Sequence, residues 1–284
     1  KANVNLASTR AQNTGHGIDT IAGVENVTSG NGADTLRGNS AANTLFSSKG
    51  NDKLYGGSNN DTLQGDAGND LLNGGGGTDT IVFTGNAKAN VNLASTRAQN
   101  TGHGIDTIAG VENVTSGNGA DTLRGNGAAN TLIGNNGNDK LYGGSGNDLL
   151  KGDAGRDAIQ GDSGKDTMFG GSSADTFIFT KTSDSSANAS RADVIRDFTD
   201  GVDKINLRAI DASTDLSGNN TFTFDGTTSF GTSKQGDVYY KKFNKAGTAN
   251  DYTMVYIDTD DDRATEMSIR LTGLFDLGAD DFIL

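Results

Sequence analysis

Thirteen Asp or Asn residues stand at one fixed place in a nine-residue unit, and a side-chain oxygen at that spacing can ligate a hard cation. From Ser29 the chain reads SGNGADTLR, GNSAANTLF, SSKGNDKLY, GGSNNDTLQ, GDAGNDLLN, GGGGTDTIV. From Ser116 it reads SGNGADTLR, GNGAANTLI, GNNGNDKLY, GGSGNDLLK, GDAGRDAIQ, GDSGKDTMF, GGSSADTFI. The sixth position is Asp34, Asn43, Asp52, Asp61, Asp70 and Asp79 in the first block. In the second it is Asp121, Asn130, Asp139, Asp148, Asp157, Asp166 and Asp175. The eighth is always apolar: Leu36, Leu45, Leu54, Leu63, Leu72, Ile81, Leu123, Leu132, Leu141, Leu150, Ile159, Met168 and Phe177.

The elements that must position these oxygens follow from the same unit. Six residues of Gly, Asn and Asp make a turn, and three make a short strand with one inward side chain. Two units make one coil, so each turn stacks on the turn 18 residues away. Asp34, Asp52 and Asp70 then form one column, and Asn43, Asp61 and Asp79 another. The second block gives Asp121, Asp139, Asp157, Asp175 and Asn130, Asp148, Asp166. On this spacing each middle carboxylate spans two gaps, and Asp175 ends its column. Turn carbonyls can complete the ligand sets: Gly56, Ser58, Gly65, Ala67, Gly68, Gly143, Ser145, Gly146, Gly152, Ala154, Gly155, Gly161 and Ser163. Six to eight oxygens suit calcium better than magnesium, and zinc would want His or Cys, which the repeats lack. A disordered linker would not keep an apolar residue in register thirteen times in thirteen. One thin apolar row cannot offset the ordering cost of so many glycines, so metal binding and folding are expected to be one event.

Composition agrees. The chain has 284 residues, 42 of them glycine, with no Pro, Cys or Trp and a formal charge of −13. Nucleic acid is excluded as a natural partner and cations are favoured. Disulfides and thiolate sites are excluded, and no apolar stretch reaches the length of a membrane span. About five to nine calcium ions are expected, with the Asn and column-end sites weakest.

Residues 1–39 recur unchanged at 88–126. Lys88 follows FTGNA, which has no counterpart before Lys1, so the chain reads as a piece of a longer protein. Five segments result: a connector at 1–28, a repeat block at 29–83, a second connector at 84–115, a second block at 116–179, and a C-terminal domain at 180–284. The connectors carry VNL (4–6 and 91–93) and the alternating GIDTIAGVENV (17–27 and 104–114), with Ile18, Ile21, Val24 and Val27 apolar. They read as irregular coils that continue or cap the roll. His16 and His103 read as solvated loop residues.

After Phe179 the period stops. VIRDF, KINL, TFTFDG, DVYYKKF, YTMVYID, MSIRLTG and DFIL read as strands of an antiparallel region. Its expected core is Phe222, Phe224, Val238, Tyr240, Val255, Tyr256, Ile257, Ile269 and Leu271. Within IDTDDDRATE, Asp258, Asp260, Asp262 and Glu266 resemble the start of an EF-hand loop, but Arg263 and Ile269 stand where Gly and Glu belong. It reads as an acidic hairpin turn.

The nonapeptide G-G-x-G-x-D-x-U-x resembles the calcium-binding repeat of RTX proteins. ADVIRDFTDGVDKINLRAIDA, GNNTFTF and LTGLFDLGADDFIL resemble the C-terminal domain of serralysin-type secreted metalloproteases, a domain also found in some alginate epimerases and lipases. The resemblance implies an all-β fold: a right-handed parallel β-roll in two blocks, then an antiparallel, sandwich-like C-terminal domain. It implies an extracellular or cell-surface protein exported by a type I apparatus that reads Asp281, Phe282, Ile283 and Leu284. Protease activity does not carry over, because H-E-x-x-H and G-x-S-x-G are both absent. Two alternatives stand beside the calcium-folding and export module. One is the tail of a secreted protease, lipase or polysaccharide epimerase; the other is an adhesive segment facing polysaccharide or a cell surface.

Overall fold

The computed structural model describes residues 1–212, 220–227, 236–245, 250–260 and 264–284. Among them the chain is all-β, with no α-helix and two single 3-10 turns, Thr182–Asp184 and Ala279–Asp281. It folds as two compact units: residues 1–126 with 131–136, and residues 127–130 with 137–284.

The strand of each nonapeptide follows its sequence. A polar or β-branched residue, an apolar residue and a third residue give the half-buried, buried, half-buried pattern of Thr44–Phe46, Thr62–Gln64 and Thr80–Val82. Only one side chain in three points inward, as a two-residue period requires. In the first unit one parallel sheet sets Val4 on Leu36, Leu36 on Leu54, Leu54 on Leu72, and Leu72 on Ile108. A second sets Val27 on Leu45, then Leu63, Ile81, Val114 and Leu132. Val91 pairs separately with Leu123.

The second unit repeats the arrangement. Leu141, Ile159, Phe177, Ile205 and Phe282 form one ladder. Leu150, Met168, Ile195 and Leu271 form the other. The C-terminal region therefore extends the coils before it turns antiparallel. Met267–Thr272 pairs with Tyr252–Asp258, which pairs with Asp237–Phe243. Thr223–Gly226 joins the last strand in parallel through a bulge. Of the expected core, Phe222, Val238, Tyr240, Val255, Ile257, Ile269 and Leu271 are buried, while Phe224 and Tyr256 are half-buried.

The connectors are more regular than expected. Ile108 and Val114 are rungs of the ladders, taking the place of an eighth-position residue. His16 is exposed as expected, but His103 is not a solvated loop residue. It is half-buried, and its ring lies 5.2 Å from that of Phe83.

Candidate metal centres

The sixth-position side chains stack into columns, and a hydrogen-bond chain fixes their pitch. The amide of Asp34 donates to Asp52 Oδ1 at 2.7 Å, and that of Asp52 to Asp70 Oδ1 at 2.8 Å. Asn43 donates to Asp61 and Asp61 to Asp79, both at 2.7 Å. In the second unit Asn130 donates to Asp148 and Asp148 to Asp166 at 2.8 Å. Asp139 donates to Asp157 at 2.7 Å and Asp157 to Asp175 at 2.9 Å. Asp34 and Asp121 accept the amides of Ala2 and Ala89, each at 2.6 Å.

This chain of bonds makes the two oxygens of a middle carboxylate unequal, which the spacing alone does not show. Oδ1 already accepts one amide from the preceding coil. Oδ2 accepts none, and in Asp52, Asp61, Asp70, Asp79, Asp148, Asp157, Asp166 and Asp175 it is buried without a hydrogen-bond partner. Buried oxygens without partners are costly and uncommon, and their recurrence at each coil marks a place for a cation. Burial, the largest cause, pushes Asp148 and Asp157 up to about 6 and Asp70, Asp166 and Asp175 up to about 7. Nearby carboxylates push the same way.

The turn glycines open the space beside Oδ2. A Cβ at Gly56 would come 2.3 Å from Asp61 Oδ2 and 2.5 Å from the carbonyl oxygen of Gly74. At Gly143 it would meet Asp148 Oδ2 at 2.3 Å and the Gly161 carbonyl at 2.6 Å. A carboxylate oxygen and a carbonyl from the next coil thus converge where only glycine leaves room, and this donor set fits calcium. In the later units of each block the second position has a left-handed backbone, as at Gly75 with φ +109°. Asp66, Asp153 and Asp162 occupy the same place at 54°, 70° and 62°, a conformation Asp tolerates better than most residues.

Of the predicted carbonyls, Gly161 lies beside Asp148 Oδ2 and Gly56 beside the Asn43 side chain. Those of Ala67, Ala154 and Ser163 accept the amides of Gly50, Gly137 and Gly146, and Gly65 accepts Ser47 Oγ. Each keeps a second lone pair. The carbonyls of Gly68 and Gly146 press against Gly104 and Gly164 of neighbouring coils. Ser58, Gly143, Ser145 and Gly152 lie within the strands Lys53–Ser58, Lys140–Ser145 and Leu149–Ala154, and Gly155 follows the last of these.

Four acidic residues outside the nonapeptides continue the columns. Asp106 Oδ1 accepts the Asp70 amide at 2.8 Å, and Glu112 Oε2 accepts that of Asp79 at 2.9 Å. Asp193 accepts the Asp166 amide at 2.8 Å and Asp203 that of Asp175 at 2.9 Å. Asp175 is therefore not a column end. Asp193 is fully buried, its Oδ2 lacks a partner, and burial with the Asp166 charge pushes it up to about 9. The signal was present in the sequence: I-D-T-I, V-E-N-V, A-D-V-I and V-D-K-I each place an acid two residues before an inward apolar residue.

Elsewhere, carboxylate oxygens of Asp258, Asp260 and Glu266 gather within 4.8 Å. They bond locally: the Asp260 amide donates to Asp258 and the Thr259 amide to Glu266. Asp262 and Arg263 lie outside the described residues. At the C-terminus, Asp281 accepts the amides of Gly201 and Gly278 at 2.9 and 2.7 Å, and Phe282 is buried.

The family described as Peptidase M10 serralysin C terminal matches residues 70–284. The chain belongs to this family. The RTX calcium-binding nonapeptide repeat matches residues 17–54 and 28–63, beginning at the connector that carries Asp19 and Glu25. No curated protein matches. Among solved structures, the chain is similar to the solution structure of the AlgE6R3 subunit from the Azotobacter vinelandii mannuronan C5-epimerase. Identity is 28% over 57% of this chain and 76% of that one, with a TM-score of 0.27. RTX nonapeptides bind calcium, and together with a serralysin C-terminal domain they mark a secreted RTX module whose families are non-catalytic. Among the described residues no helix is long and apolar enough to cross a membrane.

Proposed function

We propose that residues 1–284 form the calcium-binding, calcium-folded export module of a larger secreted RTX protein and carry no catalysis of their own. The observation that carries this reading is the buried, unpartnered Oδ2 repeated coil after coil beside a glycine that leaves room for an ion. The ligands are the thirteen sixth-position side chains, joined by turn carbonyls. Asp106, Glu112, Asp193 and Asp203 fix the ends of the columns. Bound calcium supplies the positive charge that lets these carboxylates stay ionised while buried.

The chain's own part is to hold the carboxylates at one pitch and to keep them out of water. At low calcium their repulsion and burial disfavour the coils, so the chain stays open for passage through a type I apparatus. Asp281 and Phe282 are buried against the sheet once folded, so the apparatus reads residues 281–284 before folding.

Equilibrium dialysis of the full chain with atomic emission counts the bound ions. About five to nine per chain are expected. Fewer than about three, at millimolar calcium, would contradict the ligand assignment.

A further inference from the structure

Residues 1–39 and 88–126 have one sequence and two environments. In the second copy, Thr107–Ala109 pairs with Leu71–Asn73, and Asn113–Thr115 with Thr80–Val82. The Asp106 and Glu112 carboxylates accept the amides of Asp70 and Asp79, and the His103 carbonyl accepts that of Gly68 at 3.0 Å. Ile108, Val111 and Val114 are buried as a result.

In the first copy, among the described residues, no coil lies on this side. Asp19 and Glu25 are exposed, and Val24 is 38% exposed where Val111 is 3%. Ile21, Val24 and Val27 line an open groove of about 690 Å³ with Val4. Among the described residues, Ile18–Asp19 pairs only with Gln12–Asn13, and Asn26–Thr28 only with Thr44–Phe46. Two strand edges, an apolar groove and two carboxylate acceptors face solvent together.

We propose that the face of residues 17–28 seats the end of a further nonapeptide block. The occupant is a pair of parallel coils of the Lys53–Val82 kind. Its apolar eighth positions would lie over Ile21 and Val27, and its last column amides would donate to Asp19 and Glu25. A second copy of this chain does not offer that end, because Leu71–Gly76 and Thr80–Val82 are already covered by residues 104–115. The inference rests on residues 88–126 seating such a block with the same sequence, and not on the number of ions bound.

The chain has no cysteine, so single-cysteine variants report exposure cleanly. Val24→Cys, Val111→Cys and Ile18→Cys would be made in the full chain and in a chain with residues 29–87 repeated ahead of Lys1. Thiol labelling would be timed in millimolar calcium. In the full chain, Val24→Cys should label fast and Val111→Cys on the order of 100-fold more slowly. In the extended chain, Val24→Cys should slow to the rate of Val111→Cys. Ile18→Cys should stay fast in both, since Ile105, its counterpart, remains 55% exposed beneath the seated coils. Fast labelling of Val24→Cys in the extended chain overturns the proposal whether or not the added block folds, because that block folds against the identical residues 88–126. Slow labelling of Val24→Cys in the unextended chain also overturns it, by pointing to self-association. Protection of Ile18→Cys does the same, by pointing to another occupant.

Discussion

Asp166→Asn should stabilise the metal-free fold and weaken the calcium-bound one. Asparagine keeps an Oδ1 that accepts the Asp148 amide, now at 2.8 Å, and removes only the charge. Asp166 is fully buried. Burial first, then Asp148, Asp162 and Asp184, push its carboxyl from 3.8 up to about 7. At 1.36 kcal/mol per pH unit, holding it ionised in the metal-free fold costs about 4 kcal/mol. The folded value is raised, so the cost is absent below the unfolded value and is felt in full above about pH 7. Near pH 8, therefore, the variant should fold without metal at lower sucrose than the parent, and near pH 4 the two should coincide. In calcium the order reverses, since the variant has lost an anionic ligand and needs more calcium to fold. Far-UV circular dichroism follows both titrations. A variant that is harder to fold near pH 8 with and without calcium would refute the reasoning, because a structural role alone would move both the same way.

Gly161→Ala would put a Cβ 2.3 Å from Asp166 Oδ2, whereas a Cβ at Gly127 meets nothing within 4 Å. The calcium midpoint for folding should rise on the order of tenfold for Gly161→Ala and stay put for Gly127→Ala, which sits at an open surface position. Equal midpoints would remove the cradle from the account. Acidification is the second test. Burial raises Asp70, Asp166 and Asp175 to about 7 and Asp193 to about 9, so metal-free stability is lost as pH rises through that range. The metal-free chain should gain β-signal between about pH 8 and pH 5, and a signal that falls over that interval would contradict this sign.

The column aspartates were legible because two constraints coincide in each unit: a ligand oxygen at the sixth place and an inward apolar residue at the eighth. Asp106, Glu112, Asp193 and Asp203 obey the same acid-x-apolar rule. Before Asp193 the glycine-rich lead that makes a nonapeptide recognisable is missing, and before Glu112 and Asp203 it is reduced to Gly110 and Gly201, while TGHGID before Asp106 keeps its glycines but stands alone, outside both uninterrupted nine-residue runs. The division of labour between Oδ1 and Oδ2 was not legible at all. It depends on the amide of a residue 18 positions earlier, which no local pattern records. Ile21 and Ile108 show a further limit. Their sequence surroundings are identical over 39 residues, yet one lines an open groove and the other is a buried rung, because burial is set by which coil lies alongside.

Far-UV circular dichroism of the full chain, stripped by chelator and titrated with calcium, tests the central claim most directly. The account predicts loss of the β-signal on chelation and cooperative recovery at about 10⁻⁴–10⁻³ M calcium, with magnesium a poor substitute. A spectrum that is the same with chelator as with calcium would contradict it.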